Sequence, residues 1–423
     1  MDYQLFNDLS VSAYNELTSG NIKKAIDNMQ SMLYLCPNPE LEEKMNALSR
    51  ALEGLLNCIR NGIQDENRED SFQQMKTTGW LILTSINRWA KINYPSHIFN
   101  KIYNSNIRKS YSTYTSQLKS PVTTPLEAEL HDSFSIQLFN QIWLSQQLSK
   151  EEAKEIEELI NSSDIQLADK LMTISAIMLC CLESPVPQKF SILTKCCYSE
   201  IPEIQIRALV GMFSLSLSFD NCFFFPQEMK AFSDFFSDPE HQDKLCTIVH
   251  WFYETKDVPE FTKKFNDQFM PRLHRENEKG RELMGKMNDP ESMEEIEKLQ
   301  GKMQESSRIM GKLYQNGKDV YYGSFRNYKK SAFFKEAANW FYPFSKTRFE
   351  SFAQFSNDKK PLVGHILDIC NFCDNDKWSF FFLMKNMQAT INIAEGSVDL
   401  GSLMEQKKPI SRITQILLTS LSL

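Results

Sequence analysis

Cys370 and Cys373, two residues apart near the C-terminus, form the sharpest chemical motif in the chain. A structural zinc site needs four ligands, usually two such pairs. The other cysteines lie far upstream in apolar helical patterns, and His365 is the nearby histidine. Thioredoxin-like redox use would require a preceding strand and a βαβ context, which the surrounding pattern does not offer. The motif therefore reads as the end of a helix. The six histidines (His97, His131, His241, His250, His274, His365) show no paired spacing. A Gly-x-Ser-x-Gly elbow and a phosphate loop ending Gly-Lys-Ser/Thr are both absent. Carboxylates crowd the stretch from Glu276 to Glu305, but a general acid needs a walled pocket to shift its pKa. The expectation is a chain without catalytic residues, metal or cofactor.

Charge distribution is more informative. From Ser71 to Leu126 there is no Asp or Glu, whereas Lys76, Arg88, Lys91, Lys101, Arg108, Lys109 and Lys119 all fall there. Trp89, Tyr94, Tyr103, Tyr111 and Tyr114 are interleaved with them. Such a face suits an acidic peptide or protein; it also suits nucleic acid, through phosphate contacts and base stacking. The candidate binding residues are Arg88, Lys91, Tyr94, Tyr103, Arg108 and Lys109. A second candidate is the aromatic run Trp340, Phe341, Tyr342 and Phe344, because Trp and Tyr dominate binding hot spots. The same run would equally serve as the core of its own module.

The elements that must position these residues are helices. Glycine is scarce (14) and proline modest (16) among 423 residues, and apolar residues at 42% suffice for a packed core. Leu9 to Leu17 and Ile22 to Leu35 read as a hairpin around Gly20. Leu17, Gly20, Ala25 and Pro37 match part of the tetratricopeptide pattern. Helices are predicted over Leu41 to Ile63, Phe72 to Trp89, Ile98 to Leu118, Leu126 to Leu148 and Lys150 to Ser162. The octets beginning at Asp164 and Glu203 are similar, with Ile165 and Ile204 39 residues apart, near the period of HEAT repeats. Hairpins of this kind cannot bury their apolar faces alone, so they stack. Phe223 to Phe236 and Lys244 to Tyr253 suggest another hairpin, and Leu362 to Phe372 and Trp378 to Met387 further helices.

The fold class expected is all-α, an α-solenoid of tetratricopeptide-like and HEAT-like hairpins. Its segments are 1–63 (tetratricopeptide-like), 64–162 (basic and aromatic), 163–275 (HEAT-like), 276–318 (a charged insertion with methionines) and 319–423 (aromatic-rich). The apolar helix from Ile410 to Leu423 reaches the last residue without a polar cap, which reads as the front part of a longer array.

The segments Asn339-Trp340-Phe341-Tyr342-Pro343-Phe344 and Cys370-Asn371-Phe372-Cys373-Asp374-Asn375-Asp376-Lys377-Trp378-Ser379-Phe380 resemble an uncharacterised bacterial family. Its members are long helical-repeat proteins with tetratricopeptide repeats. The run from Arg207 to Gly211 also corresponds, and the likeness spans about Asp164 to Met387, with the N-terminal third matching loosely. The resemblance implies an α-solenoid followed by further tetratricopeptide repeats, and brings no known activity. Phe372-Cys373-Asp374 lengthens the family's spacing between Cys-Asn and Asp-Lys.

A net charge of −7 argues against a chain that coats nucleic acid overall. The start, Met1-Asp2-Tyr3, does not look like a secretory signal, and the apolar run Leu171 to Leu182 is too short to span a bilayer. Ten dilute cysteines fit a reducing compartment, so a cytoplasmic location is expected. The function expected is a non-catalytic scaffold that binds a peptide or protein. The alternative is a nucleic-acid-associated repeat protein using 71–126.

Overall fold

The computed structural model describes residues 2–218 (except 65, 146 and 185), 226–256, 328–344, 373–379 and 381–382, with isolated positions at 263, 267 and 301. Among the described residues the regular elements are helices, and none is long and apolar enough to cross a membrane. The chain divides into two compact units, Met1–Ser237 and Asp238–Leu423. The expected insertion at 276–318 and the helices at 362–372 and 410–423 lie outside the described residues, isolated positions aside, as does Cys370.

In the first unit, α1 (Tyr3–Thr18) and α2 (Ile22–Leu35) form the hairpin that the Gly20 turn foretells. Asp2 caps α1 by accepting from the Gln4 and Leu5 N–H groups, and Asn21 caps α2. Gly20 takes φ 85°, a left-handed conformation that side-chain-bearing residues resist. Leu17 and Ala25 are fully buried where the helices cross. Pro39 opens α3 (Pro39–Arg60), with Asn38 accepting from Leu41 N–H.

The next helix, α4 (Arg68–Asn93), packs against α1, α2 and α3. Between 79 and 92 its buried positions fall on nearly every side, because it is covered from several directions. Gly79 permits that approach: a Cβ there would stand 2.8 Å from Leu17 Cδ2 and 3.4 Å from Leu48 Cδ2.

The predicted helix from 98 to 118 is instead two short helices, α5 (Ile98–Ser105) and α6 (Tyr111–Leu118), separated by an extended loop. Tertiary contacts with α7 (Pro125–Leu144) account for the break. Gln141 on α7 clamps Lys109 at both backbone groups. Lys109 N–H donates to Gln141 Oε1 at 3.1 Å, and Gln141 Nε2 donates to Lys109 C=O at 2.7 Å. Asn106 Nδ2 donates to Gln137 C=O, and Tyr114 OH to Ile107 C=O at 2.9 Å. Ser110 then restarts the helix by accepting from Thr113 N–H.

Beyond this point the helices are α8 (Lys150–Asn161), α9 (Leu167–Glu183), α10 (Pro187–Cys196), α11 (Pro202–Ser218) and α12 (Pro226–Phe235). Odd-numbered helices pack on one another, α7 on α9 and α9 on α11. The even-numbered ones do likewise, α6 on α8, α8 on α10 and α10 on α12. The similar octets fall on neighbours in the odd row but in different registers. The first begins before α9 with Asp164, whereas Glu203 already lies inside α11.

In the second unit, α13 (Pro239–Lys256) is described, together with three 3₁₀ turns at Tyr328–Lys330, Phe333–Lys335 and Ala337–Trp340 and helical residues at 374–379 and 381–382. Trp378 is fully buried between Phe333 (5.2 Å between ring centroids) and Phe344 (4.6 Å), and its indole N–H donates to Tyr342 C=O at 3.2 Å.

Candidate interaction surface

The residues nominated for binding divide sharply by location. Arg88 is 2% exposed and faces inward from α4. Its Nη1 donates to the Trp143 and Ser145 carbonyls at 3.2 and 2.9 Å, at the C-terminus of α7. Both Nη atoms also stand 3.4 Å from Cys180 Sγ on α9. The last carbonyls of a helix lack internal partners and carry partial negative charge, so a buried cation is stabilised there. Arg88 is therefore an interior cap rather than a surface contact, and its assignment to a binding face is corrected.

Lys189, at the start of α10, reaches the same helix end. Its Nζ lies 2.6 Å from the Ile142 and Ser145 carbonyls, 2.8 Å from Ser145 Oγ and 3.0 Å from Cys180 Sγ. Burial pushes this lysine below its ordinary pKa, while Cys180 pulls in the opposite direction. Burial would raise the Cys180 thiol, but Arg88 and Lys189 together bring it below its ordinary value. Among the described residues no carboxylate forms an ion pair with either cation.

The other nominated residues of the first unit are partly exposed. Lys91 pairs with Glu183 at the end of α9, and Tyr94 stacks on Tyr3 with ring centroids 4.7 Å apart. Lys109 Nζ lies over the Phe134 ring at 4.3 Å and 3.4 Å from Gln117 Oε1. The guanidinium of Arg108 is exposed and lies over the Tyr103 ring at 4.2 Å. A guanidinium held over a ring by its face keeps its N–H groups available for a carboxylate. Beside it Ile107 is 64% exposed, and the loop carrying both is held by the Gln141 clamp. Arg108 and Tyr103 thus pair at the surface, with Ile107 exposed next in sequence on a loop tied to α7.

In the second unit the aromatic run is largely interior. Tyr342 and Phe344 are buried, while Trp340 and Phe341 are half-buried, and the Trp340 indole N–H donates to Phe334 C=O at 2.8 Å. These contacts assign most of the run to its module's core. Cys373 is likewise buried.

A buried His131–Asp169–Ser135 cluster joins α7 to α9, a contact that the scattered histidines did not suggest. His131 Nε2 lies 2.9 Å from Asp169 Oδ2, and Ser135 OH donates to Asp169 Oδ1. Asp169 lies between the other two, so the serine has no hydrogen bond to an imidazole base, as nucleophilic catalysis would need. From α11, Arg207 Nη1 donates to Ser175 Oγ and Leu171 C=O on α9, at 2.9 and 3.3 Å. The odd row is therefore cross-linked by buried polar contacts as well as apolar packing.

A groove of about 550 Å³ runs along the packed α3 and α4, walled by Leu48, Ala51, Met75, Leu81 and Ile82 with Lys44 among its lining. Among the described residues, no three His, Cys, Asp or Glu side chains gather as metal ligands would. Comparison of the chain with known protein families, curated proteins and solved structures finds no match.

Proposed function

We propose that this protein is a non-catalytic α-solenoid scaffold that binds an acidic peptide or protein. The observation that carries the reading is the pair of parallel rows, α7–α9–α11 and α6–α8–α10–α12, in which each helix contacts the next of its own row. Stacked helical hairpins extend in this way and present long surfaces for a partner. Tyr103, Ile107 and Arg108 supply the anchor chemistry. A stacked guanidinium offers two parallel N–H groups to one carboxylate, and the flanking Ile107 and Tyr103 supply apolar area.

Capture of partners from native lysate, with and without nuclease and at two salt concentrations, tests this reading. Protein partners that survive nuclease and are lost with Arg108→Ala and Tyr103→Ala together would support it. Loss of all partners on nuclease treatment, or recovery of nucleic acid that washes off steeply with salt, would replace it with a phosphate-binding role.

A further inference from the structure

Two side chains that the scaffold reading leaves unused, Cys180 and Lys189, meet at the end of the α9–α10 hairpin. Lys189 Nζ is 3.0 Å from Cys180 Sγ, and both Arg88 Nη atoms are 3.4 Å from the same sulfur. All three side chains are buried. A cavity of about 200 Å³ is lined by Arg88 together with Thr84, Asn87, Lys91, Glu183 and Ser184. Arg88 thus lines this cavity and also contacts the sulfur.

We propose that Cys180 and Lys189 are an oxidisable pair that closes into a covalent Sγ–Nζ bond when a peroxide reaches the sulfur. The Cys180 thiolate attacks one peroxide oxygen and the O–O bond breaks, giving sulfenic acid and hydroxide: the sulfur loses two electrons and the peroxide gains them. That hydroxide takes a proton from the adjacent Lys189 ammonium and leaves as water, so a neutral amine stands beside a neutral sulfenic acid. The freed amine attacks Sγ, the S–O bond breaks, and the departing hydroxide takes a proton from the nitrogen and leaves as water. The product is a sulfenamide, which a thiol reductant reopens.

The surroundings favour this cysteine over its neighbours. Burial pushes Cys181 and Cys196 up to about 12, and Cys197 well above its ordinary value, so they stay as unreactive thiols. Cys180 alone of the four has two cations within hydrogen-bonding distance among the described contacts.

Trypsin distinguishes the outcomes, because Lys189 is itself a cleavage site. The folded full-length protein is treated with hydrogen peroxide, quenched with catalase, denatured with an alkylating agent, digested without reductant and mapped by mass spectrometry. The expected result is loss of cleavage after Lys189, in a peptide spanning 171–195 that is lighter by two hydrogens at the unalkylated Cys180. Dithiothreitol should restore the cleavage, and Lys189→Arg should be cleaved with or without peroxide. The same mass loss with cleavage intact would indicate a Cys180–Cys181 disulfide and overturn the proposal. A bridge that retains the oxygen would also overturn it. So would an unmodified Cys180 in a sample whose exposed Cys246 has been oxidised.

Discussion

Arg88 and Arg108 come from the same acid-free stretch, yet the fold uses them in opposite ways. Arg88 is enclosed by α4, α7 and α9, where its charge is met by helix-end carbonyls and a sulfur. Arg108 stands on a clamped loop with its ring partner beneath it and solvent beyond. A cation's position in sequence thus says less about binding than the number of elements that cover it. Burial turns the same guanidinium from a recognition group into a structural cap.

The largest break in this comparison should come from Arg88→Ala. It leaves the Trp143 and Ser145 carbonyls without this donor and opens a void beside Cys180. Chemical denaturation should show a loss of about 3 kcal/mol. Because the contrast depends on α4 being covered from several sides, Gly79→Val should also destabilise. Its side chain would collide with Leu17, and thermal unfolding should report about 2 kcal/mol.

Gln141→Ala sharpens the other half of the comparison. Removing both clamp bonds to Lys109 should cost about 1 kcal/mol. It should also raise amide exchange over 106–110 and loosen the mounting of Arg108.

The two ends of α7 extend the contrast. Its C-terminus is capped by buried cations, its N-terminus by an exposed capping box of Thr124 and Glu127. Bonds from the Thr123 hydroxyl and from the Thr123 and Thr124 N–H groups hold Glu127 at about 2, below an ordinary 4.5. Since the folded value is lowered, this contribution is complete above about pH 4.5 and fades as pH falls towards 2. Glu127→Gln should therefore narrow its stability deficit against wild type as Tm is followed down through that window.

Much of the helical framework was legible from punctuation. Gly20 marked the first turn and the Leu17–Ala25 pair the crossing between α1 and α2, whereas α3 opens at Pro39, two residues before the predicted Leu41. Of the apolar residues spaced along the predicted helix from 72 to 89, Trp80, Ile82, Leu83 and Ile86 are buried, whereas Trp89 is half-buried. The break at 106–110 was not legible, because what stabilises it is the side chain of Gln141 more than thirty residues later. Arg88 was misread for a similar reason: its acceptors lie 55, 57 and 92 residues away in sequence. One local signal did exist. Arg88 lies between Ile86 and Ala90, both fully buried, so its helix neighbours two positions away already point to a covered stretch. Whether the aromatic run at 340–344 was a contact or a core depended on Trp378, which packs on Phe344 from outside that run.

The smallest expected effect on stability belongs to Arg108→Ala, within about 0.5 kcal/mol because the residue is exposed. That makes it the most direct probe of function. Partner capture by this variant, from nuclease-treated lysate and per mole of folded protein, should fall several-fold while Tm stays at the wild-type value. Full retention of the wild-type protein partners would contradict the assignment of recognition to the Tyr103–Arg108 patch.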